Sequence, residues 1–343
     1  MSDYELANPS TEYSQLIDSI GNTLNEARNN LAQAVNSVMV DAYWQVGQQI
    51  VEFEQKGSAR AAYGENLLPR LSKDLTLRFG KGFNRSNLIY MRKLYLAYPK
   101  RGTLSHKLTW SHYYEILKLD DPLEISFYAK ETEIEHWSVR ELKRQMKSML
   151  FHRLALSKDK EGVLRLAQNG VEIQKAEDII RDPLVLEFAG IPPRDMILEK
   201  DIEDALMRNL ETFLLELGKG FAFVARQYRM NIGGRQFYCD LVFYHRILKC
   251  FVLIDLKRGE ITHEDIGQMN LYLNYIKAEE NEPDDNEPIG IVLGAFKDKL
   301  LMEYALQGIS NQLFVTRYML YLPDRAQLQH ELDKLLSKNE RKE

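Results

Sequence analysis

Apolar residues recur at helical spacing through the first part of the chain. From Tyr13 they fall at Leu16, Ile20, Leu24, Ala27, Leu31, Val35 and Val38, then at Tyr43, Val46 and Ile50, as far as Phe53. That three-to-four-residue beat predicts a long amphipathic helix. Leu67–Phe79 predicts a shorter one that ends at Gly80-Lys81-Gly82, where glycine supplies a left-handed cap. Asn84 or Ser86 caps the next helix, which runs to about Tyr98 and stops before Pro99. Further short helices are predicted at about Ser111–Lys118, from Asp121-Pro122 with Glu124 in the first turn, and from Ser138 with Glu141 as a capping box. Trp110, His112, His136 and Trp137 lie beside these starts and read as core residues.

The periodicity fades over residues 157–198. Ser157–Glu161 is polar, while Arg181-Asp182-Pro183 and Ile191-Pro192-Pro193-Arg194 are breakers, so only Leu184–Phe188 reads as ordered and the stretch predicts a connector. From residue 199 the period changes. Glu199–Leu217 predicts one helix with Leu206, Leu210, Leu214 and Leu217 along a face, stopped at Gly218-Lys219-Gly220. Strands follow at Phe221–Met230, Gln236–Tyr244 and Cys250–Lys257, then a helix over Glu264–Ile276. A strand over Ile289–Phe296, a helix near Leu300–Leu306 and a strand near Phe314–Tyr318 complete the pattern. A crossover helix between strands calls for a mixed sheet. The expected fold class is α+β overall: an all-α domain over 1–156, a connector over 157–198 and an α/β domain over 199–343.

Composition narrows the setting. Two cysteines in 343 residues exclude a disulfide scaffold and a thiolate zinc site. Apolar runs of about eight residues fall short of the roughly 20 needed to cross a bilayer, and the opening MSDYELANPS lacks the form of a signal peptide. A soluble, cytoplasmic protein with no membrane partner is expected.

Net charge, −5 from 45 Lys+Arg and 50 Asp+Glu, leans against a nucleic-acid partner until it is divided by position. Residues 1–160 carry 22 bases and 19 acids, and the remainder 23 and 31. Between Arg70 and Lys107 ten bases face a single acid, Asp74. Arg140, Lys143, Arg144, Lys147 and Arg153 form a second basic run. Such local surfaces are the footprint of phosphate binding. The helix, glycine turn and polar-faced helix over 67–98 have helix-turn-helix spacing. Arg78, Lys81, Arg85, Asn87, Arg92 and Lys93, with Arg140, Lys143 and Arg144, are the candidate nucleic-acid contacts.

Asp240, Asp255 and Lys257 stand inside the apolar strands, where a carboxylate is costly unless paired. Alternation puts Asp255 and Lys257 on one face. With Arg246-Ile247 as a two-residue hairpin loop, Asp240 lies opposite Leu253 and diagonal to Asp255, within about 7–8 Å. A divalent cation reverses the repulsion between two such carboxylates, and an oxygen-rich site suits Mg²⁺ or Mn²⁺. A buried ion triad is the alternative, though such triads seldom beat apolar packing. No G-x-G-x-x-G, G-x-x-x-x-G-K-[ST] or G-x-S-x-G occurs, which disfavours dehydrogenase, kinase and serine-hydrolase chemistry.

Asp240, fourteen residues, then Asp255-Leu256-Lys257 resembles the PD-(D/E)xK nuclease signature, and the element order matches the αβββαβ core of that restriction-endonuclease-like fold. Phe213–Val224, Asp240–His245 and Gly267–Tyr272 are similar to the YhcG-type bacterial nucleases. Tyr43–Gly47, Phe79–Phe83, Trp110–Tyr113 and Trp137–Leu142 look like that family's helical, winged-helix-like first domain. The resemblance implies that Asp240, Asp255 and the Leu256 carbonyl ligate metal, with Glu203 completing the set and Glu211 and Glu216 as rivals. Asp255 stands where the family usually has Glu. The resemblance further implies that Lys257 orients or ionises the attacking water or offsets charge in the transition state. Gln268 and Tyr272 form a Q-x-x-x-Y pair like that of RecB-type nucleases, which supports the lysine or the DNA.

The expected function is a Mg²⁺-dependent DNA endonuclease working in repair, recombination or defence against foreign DNA. The alternatives are a DNA-binding or complex-forming protein with a vestigial site, and an RNA nuclease, since phosphodiester chemistry does not identify the sugar. Domains of this fold often act as homodimers, although the sequence carries no evident interface signature.

Overall fold

The computed structural model describes residues 9–55, 67–191, 198–296 and 312–337. Two compact units divide the chain, Met1–Val139 and Arg140–Glu343. The expected helix near Leu300–Leu306 lies outside the described residues.

The first unit is helical: α1 (Pro9–Gln55), α2 (Leu67–Phe79), α3 (Arg85–Ala97), α4 (Trp110–Ile116) and α5 (Pro122–Glu135). The C-terminal part of α1 crosses α3 closely. A Cβ on Gly47 would stand 2.0 Å from the Met91 carbonyl oxygen, so only glycine lets the two backbones approach. Ile50, Leu88 and Met91 form the core there. Asn84 caps α3, its side chain accepting from the Asn87 amide, and Asp121 caps α5 through the Leu123 amide. Trp137 and His112 are buried as expected. His136 is not: it is exposed at the left-handed end of α5, φ 54°, where a position chosen for backbone geometry faces water.

The second unit starts with α6 (Val139–Lys147), α7 (Leu150–Ala155) and α8 (Lys160–Asn169), then β1 (Leu184–Val185). The stretch read as a connector is thus structured and belongs to the sheet domain. Asp159 caps α8 by accepting from the Gly162 amide, and α8 buries Val163, Leu166 and Ala167. Ten residues with four buried positions, one of them Gly162, carry too little periodicity to stand out. The expected single helix over Glu199–Leu217 is two, α9 (Glu199–Arg208) and α10 (Leu210–Leu217), broken at Asn209.

Then come β2 (Phe221–Ile232), β3 (Arg235–His245), β4 (Cys250–Glu260), α11 (His263–Glu279), β5 (Ile289–Phe296), β6 (Leu313–Met319) and α12 (Arg325–Ser337). The sheet order is β1-β6-β5-β4-β3-β2. β4, β5, β6 and β1 are parallel to one another, and β3 and β2 antiparallel to their neighbours, giving the mixed sheet expected. Gly233 and Gly234, both at positive φ, turn β2 into β3. One core packs Ile202, Leu206, Phe213 and Leu217 of α9–α10 against Leu241, Phe243, Val252, Ile254 and Leu256. The other packs Ile266, Met269, Tyr272 and Ile276 of α11 against Cys239, Val242, Leu253 and Val292. Each such side chain contributes about 1.5–3 kcal/mol, and together the two cores hold β3 and β4 rigid between them.

Candidate active site

The site forms where β3 departs from regular pairing. β3 and β4 are in register from His245↔Cys250 to Leu241↔Ile254, so the connecting loop has four residues, Arg246–Lys249, not two. The register is displaced by two from the expected one, and Asp240 comes next in line opposite Asp255 rather than diagonal to it. On its other side, the β2–β3 pairing passes from Arg226↔Leu241 to Tyr228↔Cys239, leaving Gln227 at Asp240. Gln227 has φ 49°, a conformation uncommon for a residue with a Cβ. Alternation also breaks here: Leu241 and Phe243 enter one core, Val242 and Cys239 the other. With the ladder interrupted, the Asp240 carboxylate itself accepts the Leu256 amide, 2.7 Å.

Asp255 is buried at 2% exposure. Its Oδ2 lies 2.7 Å from Lys257 Nζ, a close ion pair, and no well-aligned donor reaches that buried oxygen. Lys257 also reaches Asp265 of α11, 3.5 Å. Asp265 is fixed by the α11 capping box, accepting the Thr262 amide at 2.8 Å. The Asp240 carboxyl is pushed up to about 6 by burial and by the Asp255 charge. Burial also raises Asp255, against the pull of Lys257. For Lys257 burial acts to lower the pKa, but Asp255 and Asp265 outweigh it and hold the ammonium charged.

Glu203 of α9 is buried and is joined to Asp240 through one side chain: Gln227 Nε2 donates to Glu203 Oε2 at 2.8 Å and to Asp240 Oδ1 at 3.0 Å. Arg226 pairs with Glu203 and with Asp204. Of its two rivals, Glu211 is exposed on α10. Glu216 is fully buried elsewhere, between Arg144 at 2.5 Å and Arg153 at 2.6 Å. Gln268 donates to the Tyr272 hydroxyl, which donates to the Tyr238 carbonyl at 3.1 Å. The Q-x-x-x-Y pair therefore ties α11 to β3 two residues before Asp240, and these bonds run to the strand backbone rather than to Lys257.

Among the described residues no three His, Cys, Asp or Glu side chains gather as a metal-ligating group. The donor set is instead two facing carboxylates, one oxygen of which no well-aligned donor reaches. That suits Mg²⁺, which commonly takes one or two carboxylates and keeps several waters. The arrangement places a fixed cation, Lys257, beside two carboxylates that repel each other.

A family model described as the YhcG PDDEXK nuclease domain matches residues 177–333, and one described as the DUF1016 N-terminal domain matches residues 19–153. The Escherichia coli (strain K12) protein "Putative nuclease YhcG" is 40% identical over 352 aligned positions, covering 93% of each chain. The chain belongs to the YhcG family of PDDEXK nucleases. Solved structures lie further off. A repair endonuclease from Pyrococcus abyssi is 18% identical over 38% of this chain and 50% of its own, with a TM-score of 0.28. An EndoMS–dsDNA complex is 16% identical over 39% and 50%, with a TM-score of 0.26. The YhcG-family chain spans about half the length of each.

Arg78, Lys81 and Arg85 lie exposed around the glycine turn of the YhcG-family chain, and in the second unit Arg140 on α6 is exposed. Lys143 is exposed as well. Asn87 uses its amide on the Gly82 carbonyl, Arg92 pairs with Glu54 at 2.7 Å, and Lys93 donates to the Leu117 carbonyl at 3.2 Å. Arg144, expected on the phosphate-facing surface, is turned inward to Glu216 and Glu187. Its basic run faces two ways because one face of α6, carrying Leu142 and Gln145 with Arg144 at its margin, turns into the unit while Arg140, Lys143 and Lys147 face water. Gln227, Arg226 and Asp265 join the site without having stood out in the sequence. Asp265 had a signal, the Thr262-x-x-Asp265 capping spacing; Gln227 had none.

Proposed function

We propose that the chain is a divalent-metal-dependent endonuclease that hydrolyses phosphodiester bonds in DNA. The observation that carries this is the pair Asp240 and Asp255, brought opposite each other at the interrupted edge of β3 with Lys257 against Asp255. In this reading Asp240, Asp255 and the Leu256 carbonyl hold Mg²⁺ or Mn²⁺. Bound metal supplies Lewis acidity toward a phosphoryl oxygen and a water of lowered pKa. The chain's own groups do the rest. Lys257, kept protonated by its two carboxylates, orients the attacking water and offsets phosphorane charge; it is no general base. Gln227 fixes the Asp240 rotamer and couples it to Glu203. Gln268 and Tyr272 hold the β3 backbone beside Asp240. Arg78, Lys81, Arg85 and Arg140, with Lys143, are exposed cations offered to phosphate.

Purified chain is incubated with plasmid, linear and branched DNA, and with RNA, in Mg²⁺, Mn²⁺ or EDTA. DNA cleavage in either metal, abolished by EDTA and reduced at least 10³-fold in Asp255→Ala, is the expected result. Equal behaviour of wild type and Asp255→Ala on every substrate defeats the catalytic reading. Cleavage of RNA alone reassigns the substrate.

A further inference from the structure

The N-terminal part of α1 has an apolar stripe that nothing in the described residues covers. Tyr13, Leu16, Ile17, Ile20, Leu24, Leu31, Val35 and Val38 are between 48% and 66% exposed. From Val40 onward the same helix changes character: Val40, Trp44, Ile50 and Val51 are buried. In proteins most of the stability of a helix comes from packing an apolar face rather than from propensity.

The spacing of the stripe says what it packs against. Tyr13, Ile17, Ile20, Leu24, Ala27, Leu31, Ala34 and Val38 alternate by four and three residues. This is an unbroken apolar heptad seam over Tyr13–Val38, between three and four heptads, the spacing at which one helix interlocks with another along its length. Leu16 and Val35 widen the seam on its flanks. Charge is sparse: between Tyr13 and Met39 only Asp18, Glu26 and Arg28 are ionised. Asp18 and Glu26 lie off the seam, and Arg28 alone occupies a flanking position. A heptad seam is self-complementary, and without charged flanks it meets no row of like charge on a second copy of itself. Partner-selecting heptads instead carry charged flanks, which this one lacks.

We propose that α1 of one chain pairs with α1 of a second copy through the Tyr13–Val38 seam, making the protein a two-fold dimer. The seam is remote in sequence from Asp240 and Asp255, so the dimer and the nuclease reading stand or fall separately.

Light scattering on the full chain, across a concentration series, measures the mass. The wild type is expected at twice the 40.0 kDa chain mass at micromolar concentration. Leu24→Glu with Leu31→Glu, charging the seam in both copies, is expected to fall to one chain mass. Asn22→Glu with Gln33→Glu adds the same charge off the seam and is expected to remain dimeric. Circular dichroism and the melting transition check that each variant folds. A wild type of single-chain mass at every concentration overturns the proposal. So does a folded Leu24→Glu, Leu31→Glu variant that stays dimeric.

Discussion

Asp240 is the residue on which the candidate site turns, and its environment makes its pH behaviour definite. Its carboxyl titrates at about 6 in the fold against an ordinary 3.8, so the folded protein binds this proton more tightly than the unfolded chain. The contribution of this one group to stability is therefore greatest below about 4, falls as pH rises to about 6, and stays lower above it. Asp240→Asn removes the ionised group. In EDTA at pH 8 it is expected to raise the melting temperature of the second unit by a few degrees, on the order of 1 kcal/mol after allowing for partial exposure. No gain at pH 8 counts against that repulsion. Wild-type cleavage is expected to decline as pH falls through about 6, with the midpoint moving lower at higher Mg²⁺, because metal and proton compete for the same oxygens. A midpoint insensitive to Mg²⁺ excludes that competition. The sequence announced Asp240, Asp255 and Lys257 as charges inside apolar strands. It did not announce Gln227, whose part depends on a left-handed backbone angle.

At the scale of elements, Glu216 joins parts of the second unit that lie far apart in the sequence. It lies in α10, accepts from Arg144 of α6 and Arg153 of α7, and takes the Val185 amide of β1 at 2.8 Å. Burial acts to raise its pKa, yet Arg153, Arg144 and Arg181 together bring it down to about 2. Its contribution is thus complete above about 4.5 and is lost as pH falls toward 2. Glu216→Gln leaves buried guanidinium charge uncompensated. It is expected to cost about 3–5 kcal/mol, read as a lower denaturation midpoint in urea. A midpoint equivalent to within about 0.5 kcal/mol of wild type, the range of an ordinary surface change, removes this cluster from the structural frame. The elements themselves were mostly legible: α1, α2, α3, the strands and α11 fall where periodicity placed them, to within a few residues. α8 was not, since ten residues carry no readable period, and at β1 the sequence marked only an ordered stretch, Leu184–Phe188, without its pairing. The leucine stripe runs straight through the break at Asn209, where the asparagine side chain donates to the Ala205 carbonyl at 2.9 Å and the backbone leaves the helix.

For the whole molecule, an acidic chain is expected to bind DNA through a local basic surface. Replacing Arg78, Lys81 and Arg85 together with Ala is expected to weaken DNA retention at low salt. It should also flatten the dependence of log K on log salt by up to about 3, near 0.9 for each phosphate no longer neutralised. An unchanged slope moves the phosphate-binding surface elsewhere. Among the described residues no helix is long and apolar enough to cross a membrane.

The sequence by itself determined the two kinds of architecture, the strands that carry the motif and the identity of Asp240, Asp255 and Lys257. Each of these is a local property, a period of two or 3.6 residues or a charge placed where apolar residues surround it. Only the tertiary structure decided which groups meet. A loop two residues longer than expected set Asp240 opposite Asp255, and a capping box delivered Asp265 to Lys257. Folding also turned Arg144 inward while Arg140 stayed in water. Register, rotamer and helix rotation depend on packing between segments far apart in the chain, and no window of sequence contains both partners.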